Sequence, residues 1–380
     1  MLPYIFMKGS KIIMSEYKVA VYAICKNEEK FVDRWIDSMS EADGIFVTDT
    51  GSTDNTVQRL EDRGAIVNTV KLDVWRFDEA RNISISYIPD DFDICVCTDL
   101  DEVFEKGWRE LLEKTWVKDV TTRCKYKYTW SFNDDGTPGV NFMGEKIHTR
   151  HGFKWIHPVH EVLEYSGDRP DVYAEDEKIH LNHYPDDTKS RGQYLPLLEL
   201  SVEEAPDDDR NVHYLGREYM FYHKWDKCIE TLKRHLEMPK AKWLDERAAS
   251  MRYIARAYRA KGDIWQSSSW LYRAIAEAPY LREGYVEMAQ LAYTEGNWAK
   301  AYHMVDEALK ITEPPKTYIN EAFCWDYTVY DVGAISAYNL GMYEKSLEYA
   351  KTALKMKPDD ERLKSNVQII ESKVNRLREE

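Results

Sequence analysis

The chain of 380 residues contains no run of 18 apolar residues, which excludes a transmembrane helix of ordinary length. Its N-terminal stretch, Met1 to Lys11, is only briefly apolar and has no small-residue cleavage site, so it does not read as a secretory signal. Residues 1–16 are expected to be an extension ahead of the fold, with Met14-Ser15-Glu16-Tyr17 as the natural start. Cysteine is sparse: six are scattered along the chain, and Cys95 and Cys97 fall inside an apolar run. That pattern argues against a disulfide framework and for reduced thiols in a cytoplasmic setting. Basic residues are outnumbered, 52 against 67 acidic, giving a formal charge of −15. A large nucleic-acid footprint is therefore not expected, although Lys114, Lys118, Arg123, Lys125 and Lys127 are close enough to form a local basic patch.

What is present begins with three apolar segments that each run into a polar cluster. Tyr17–Cys25 leads into Lys26-Asn27-Glu28-Glu29, and Gly44–Thr48 leads into Asp49-Thr50-Gly51-Ser52-Thr53-Asp54-Asn55-Thr56. Asp93–Thr98 leads into Asp99-Leu100-Asp101-Glu102. Between the first two, Phe31, Trp35, Ile36 and Met39 recur at helical spacing. Strands alternating with helices predict a parallel α/β sheet, and ligands of such sheets bind beyond the carboxyl ends of the strands. All three polar clusters lie at those ends, which points to a nucleotide-like ligand.

If the third segment is a strand through its aspartates, alternation puts Asp99 and Asp101 on one face. Two carboxylates that close repel each other unless a proton or cation intervenes. Mg²⁺ or Mn²⁺ arriving with a diphosphate would relieve the repulsion. A solvated acidic turn is the plainer reading of Asp-x-Asp taken alone. Asp49 can likewise be an ordinary turn former.

The ordered set Cys25-Lys26-Asn27-Glu28-Glu29, Asp49–Thr56, Phe77-Asp78-Glu79-Ala80-Arg81-Asn82 and Asp99-Leu100-Asp101-Glu102 resembles the family 2 glycosyltransferases of the GT-A fold. The resemblance spans roughly residues 17 to 200. It implies a nucleotide pocket lined by Cys25, Asn27 and Glu28, with Asp49, Gly51 and Ser52 at the base. It also implies Arg81 near the diphosphate, and Asp99 and Asp101 at ribose and metal. An arginine and a metal suit a leaving diphosphate that gains negative charge. An isolated Arg81 is otherwise a surface helix residue.

Downstream, Arg123–Trp130 alternates as a strand and Asn133–Gly139 reads as a turn. In Trp155-Ile156-His157-Pro158-Val159-His160-Glu161, the resemblance makes Glu161 the general base; its competitor is a strand-edge surface glutamate. Histidines 148, 151, 157, 160, 180 and 183 cluster without a zinc spacing, so most are expected to be surface or loop residues. The resemblance assigns His183 as a further metal ligand beside Asp99 and Asp101, with His160 second.

From about Ser201 helical patterns take over, and a repeat is visible. Ala257–Asp263 recurs as Ala292–Trp298 and as Ala337–Tyr343. Gly262 and Gly296 are 34 residues apart, the tetratricopeptide period, whereas Gly341 follows after 45, which marks an insertion around Pro314 to Trp325. A degenerate first copy runs from Val212 to Pro239, and the charged Asp359–Glu380 segment is expected to cap the array.

The expected architecture is an α/β GT-A domain with a Rossmann-like mixed sheet over 17–200, then an all-α tetratricopeptide-like repeat domain over 201–380. The expected activity is metal-dependent, inverting transfer from a nucleotide sugar, with UDP favoured by resemblance, to a glycan, peptide or protein acceptor. The architecture resembles transferases of lipopolysaccharide core or cell-surface glycans, and the sublancin-type peptide S-glycosyltransferases. Glu161 and Asp101 are the expected catalytic pair. A dimer through the helical repeats is compatible with this. Two rivals stay open: a scaffold whose sheet domain is inactive or only senses nucleotide, and a phage enzyme that glycosylates DNA. The charge disfavours the second.

Overall fold

The computed structural model describes residues 16–133, 136–186, 192 and 194–379. The expected extension lies outside them except for Glu16. Two compact units emerge. The first comprises the described residues up to Ser131 and from Met143 to Asp186; the second takes Phe132–Phe142 and everything after. The helical unit thus begins ahead of the expected boundary at 201, because Tyr194–Glu204 is already a helix of that unit.

The first unit opens with β1 (Val19–Cys25), α1 (Val32–Met39), β2 (Gly44–Asp49), α2 (Thr56–Asp62), β3 (Ile66–Thr69), α3 (Phe77–Ser86) and β4 (Ile94–Cys97). β1 pairs in parallel with both β2 and β4, and β2 with β3. Every residue of β1 and β4 is buried, as expected of parallel strands covered on both faces. The amphipathic stripe Val32, Trp35, Ile36 and Met39 buries α1, and the Trp35 indole donates to Thr98 Oγ1 at 3.0 Å just past β4. β3 has no buried residue, which is why its alternation was not legible in the sequence.

β5 (Glu102–Phe104), α4 (Trp108–Thr115), β6 (Arg123–Thr129), β7 (Asn141–Thr149) and β10 (Tyr173–His183) complete a mixed sheet of order β3-β2-β1-β4-β7-β6-β10-β5. β7 runs antiparallel to β4, and β10 antiparallel to β5. Between them a separate hairpin, β8 (Phe153–Ile156) and β9 (Val162–Tyr165), pairs antiparallel. The Asn82 side chain pins this hairpin to α3 by bonding both the O and the N of Trp155, at 2.8 and 2.9 Å.

The second unit is helical: α5 (Tyr194–Glu204), α6 (Asp209–Phe221), α7 (Trp225–Glu237), α8 (Leu244–Ala260), α9 (Ile264–Glu277), α10 (Arg282–Thr294), α11 (Trp298–Leu309), α12 (Tyr327–Asn339), α13 (Tyr343–Met356) and α14 (Glu361–Glu379). Neighbours pack as antiparallel pairs, α6 on α7, α8 on α9, α10 on α11 and α12 on α13. Three of the pairs turn on a left-handed glycine, Gly262, Gly296 and Gly341. The first pair uses His223 at φ +56° instead, which explains why that copy looked degenerate. Close approach needs small residues: a Cβ on Gly216 would collide with Leu232, and one on Gly333 would meet Val305 and Tyr349. The insertion forms a loop with one 3₁₀ turn, Ala322–Cys324. The Arg282 guanidinium holds it, donating to the carbonyls of Ile311 and Cys324 and stacking on Trp325 at 3.9 Å.

Candidate active site

The carboxyl ends of β1, β2 and β4 bring the polar clusters together. Cys25 and Asp49 are register partners on adjacent strands. The Asp49 carboxylate is buried and accepts the backbone N–H groups of Gly51 and Ser52 at 3.0 and 3.1 Å, with the Cys25 thiol 3.7 Å away. Asn27, at φ +55°, donates its N–H to Ser52 Oγ and accepts the Thr53 N–H on its side chain. Glu28 is buried, and its N–H donates to Thr56 Oγ1. Asp49 is therefore a turn former. Burial, together with the charges of Asp49 and Glu28, pushes the Cys25 thiol far above its ordinary value, so it sits there as a neutral group.

Arg81 is not a surface residue: it is 3 % exposed. From α3 its guanidinium reaches Glu161 Oε1 at 2.5 Å, Asp99 Oδ1 at 2.8 Å and the Cys97 sulfur at 3.1 Å, with its carbon 5.2 Å from the centre of the Trp155 ring. Lys146, from β7, lies 3.4 Å from Asp99 Oδ2 and 3.3 Å from Glu102 Oε1. Tyr128 donates its hydroxyl to the same Glu102 oxygen at 2.8 Å. Burial alone would push the Asp99 carboxyl up, but Arg81 and Lys146 outweigh it and hold the group well below the ordinary carboxylate range. Glu102 goes the other way: burial dominates, and the neighbouring Asp99 and Asp101 charges add to the rise.

Asp99 and Asp101 do not share a strand face. β4 ends at Cys97, and both aspartates occupy the turn that follows, closed by Glu102 N–H to Asp99 O at 3.0 Å. In that turn their carboxylates part. Asp99 faces the two protein cations, one on each oxygen, which leaves it poorly placed as a metal ligand. Asp101 faces His183, whose Nε2 lies 3.5 Å from Asp101 Oδ2. His183 Nδ1 sits 3.1 Å from the Trp130 carbonyl, an acceptor only, so Nδ1 carries the proton. Nε2 is then the nitrogen available to a metal, the arrangement that orients metal-ligating histidines. Burial lowers the His183 pKa, but the bond and charge of Asp101 raise it by more.

Glu161 is not a strand-edge surface residue either. It closes the loop between β8 and β9, where His157 and His160 both take positive φ, +76° and +52°. Two non-glycine residues in that region within four positions mark backbone held against its preference, as at functional sites. His160 lies on the same loop.

His148 and His180 lie in strands rather than in surface loops. His148 is fully buried, its Nε2 2.8 Å from the Tyr22 hydroxyl, and burial pushes its pKa down to about 4. His180 lies between Thr129 and Glu105. Within the expected basic patch, Arg123 is buried and paired with Asp171, and Lys125 is paired with Glu145. Sequence reasoning did not assign Lys146, Tyr128 or Glu102 to the site. Glu102 was visible beside the aspartates, but Lys146 and Tyr128 reach it only through the order of β4, β7 and β6 in the sheet.

Residues 20–157 match the family model for glycosyl transferase family 2. No curated protein matches the chain. Among solved structures, MamA aligns at 16% identity over 43% of this chain and 86% of its own, with a TM-score of 0.35. TTC0263, a thermophilic TPR protein of Thermus thermophilus, aligns at 19% identity over 46% of this chain and 88% of its own, at 0.34. PilF of Pseudomonas aeruginosa aligns at 11% identity over 47% of this chain and 72% of its own, at 0.37. The repeat architecture rests on the helix pairs themselves. The chain carries a family 2 glycosyltransferase domain with the α/β GT-A fold, followed by tetratricopeptide-like helical repeats. Such a domain takes a nucleotide-sugar donor and an acceptor. Among the described residues no helix is long and apolar enough to cross a membrane.

Proposed function

We propose that this glycosyltransferase works by a single, inverting displacement on a nucleoside diphosphate sugar, UDP by resemblance, with a divalent ion bound at Asp101 and His183. The observation that carries the reading is the junction at Arg81, which joins Asp99 of the Asp-x-Asp turn to Glu161 of the hairpin loop. Four carboxylates, Asp99, Asp101, Glu102 and Glu161, meet two fixed cations, Arg81 and Lys146. An incoming diphosphate would add further negative charge. A divalent ion fits the donor set of one carboxylate and one imidazole with its second nitrogen occupied. When bound, that ion supplies Lewis-acid stabilisation of the departing diphosphate.

The protein's own residues do the rest. Asp49, Asn27 and Ser52 frame the nucleotide end, and Asp99, locked by two cations, presents its exposed edge to the ribose. Arg81 and Lys146 supply the fixed positive charges nearest to where charge develops on the leaving group. As the acceptor's nucleophilic atom bonds to the anomeric carbon, the bond from that carbon to the diphosphate oxygen breaks. The acceptor proton passes to Glu161; Oε1 is held by Arg81, so Oε2 receives it. The acceptor class is a glycan, peptide or protein.

Hydrolysis of UDP-, GDP- and CMP-sugars, each with and without Mn²⁺, tests the reading in wild type and Asp101→Ala. Metal-dependent turnover of one donor that the variant loses is the expected result. If no donor turns over, and none shifts the melting temperature with metal present, the scaffold reading replaces this one.

A further inference from the structure

The helical unit holds a cluster of ligating side chains that the transfer reaction does not use. His213 on α6, His235 on α7 and Glu246 on α8 are 1 %, 0 % and 3 % exposed. Each contributes one ligand atom, and the three atoms lie within 4.8 Å of one another. His235 Nε2 is 3.3 Å from Glu246 Oε1.

We propose that His213, His235 and Glu246 bind one transition-metal ion of the Zn²⁺ type, which staples α6, α7 and α8 together. Two histidines and a glutamate are a zinc donor set. The surroundings are built as outer-shell partners are. Ser250 Oγ lies 2.8 Å from His213 Nδ1 and 2.9 Å from His235 Nδ1. A hydroxyl has one proton, so it cannot donate to both rings, and at least one Nδ1 must carry hydrogen and donate to Oγ. When Oγ accepts from both Nδ1–H groups, Nε2 is the nitrogen each ring offers to an ion. The other carboxylate oxygen of Glu246 accepts the Tyr318 hydroxyl at 2.7 Å, with Arg210 Nε at 3.9 Å, which turns Oε1 toward the histidines.

Arg217 and Arg252 add positive potential at His213. That disfavours hard cations attracted mainly by charge, and leaves ions that bond strongly to imidazole. Through Tyr318 the site also reaches the insertion loop, so one ion would tie three helices and that loop.

The test uses the full chain carrying Asp101→Ala, which removes the carboxylate of the other metal site. After chelator treatment and dialysis against Zn²⁺, one zinc per chain should remain by elemental analysis. Co²⁺ should give the visible absorption of a low-coordinate nitrogen–oxygen site. Free Zn²⁺ at 100-fold over its Kd should raise Tm by about 5 °C. Adding His235→Gln should abolish all three. If that variant does not fold, Ser250→Ala keeps every ligand and should weaken Zn²⁺ binding about 10- to 100-fold. Absence of retained zinc, of the Co²⁺ band and of any Tm shift in Asp101→Ala would overturn the proposal and leave a hydrogen-bonded knot. So would equal retention in His235→Gln.

Discussion

Each unit of this protein buries an arginine among carboxylates, and the two arginines serve different ends. In the helical unit, Arg252 donates to Glu287 Oε1 at 2.7 Å and approaches Glu321 at 3.3 Å, while Arg256 bonds the same two glutamates. Burial lowers the pKa of Arg256 less than the glutamates raise it, and Glu287 is held ionised in return. The network joins α8, α10 and the insertion loop. In the sheet unit, Arg81 also bridges two carboxylates, but one of them, Asp99, keeps 36 % of its side chain exposed. Nearby backbone is strained at Asn27, His157 and His160, whereas the helical unit's one described non-glycine positive φ is the turn residue His223. A network with cations and carboxylates matched in number holds a shape. The sheet-unit network opens at strand ends with more carboxylates than cations, an excess that the proposed divalent ion would offset.

Substitution of the two arginines is the sharpest way to break that contrast. Arg81→Met should reduce donor turnover by about 10³-fold, since it removes charge from the leaving-group site and releases Glu161. Arg252→Met should leave turnover of folded protein unchanged and cost about 3–5 kcal/mol in urea unfolding, because Glu287 and Glu321 lose a partner. Equal loss of turnover in both would erase the distinction.

His148 supplies a pH test of the sheet unit alone. Its pKa is about 4 in the fold and about 6.5 when unfolded. Between those values the unfolded chain binds a proton that the native state refuses. Stability should therefore fall as pH drops from about 6.5 to about 4, by up to about 3 kcal/mol. Urea midpoints against pH should show a shallower decline in His148→Asn, and an unchanged slope would remove this residue as the cause. In the helical unit, Gly216→Ala should cost about 1–3 kcal/mol, because the added methyl meets Leu232. Smallest of all, Lys351→Ala breaks an exposed pair with Glu371 between α13 and α14, and should change stability by under about 0.5 kcal/mol.

The sites themselves show how far sequence reading reached. Arg81, Asp99, Asp101, Glu161 and His183 were named from motifs, and the fold gathers them into two connected groups. The motifs did not show that Asp99 would be claimed by protein cations, or that Lys146 and Tyr128 would join it. Asp99 and Asp101 also separate for a reason that alternation does not predict: the strand stops at Cys97, and a turn has no period of two.

Periodicity, turn residues and ordered motifs were enough for what depends on near neighbours. They gave three of the first four strands, the helix stripe of α1, the repeat and its insertion, and the family 2 resemblance. These are local properties, written in spacings of a few residues. Burial and pairing were decided by the tertiary structure. Sheet order puts Lys146 beside Asp99, hairpin placement puts Glu161 on Arg81, and helix stacking brings His213, His235 and Glu246 together from three helices. Charge interactions act through space and are strengthened by exclusion of water, so their partners cannot be read from order along the chain.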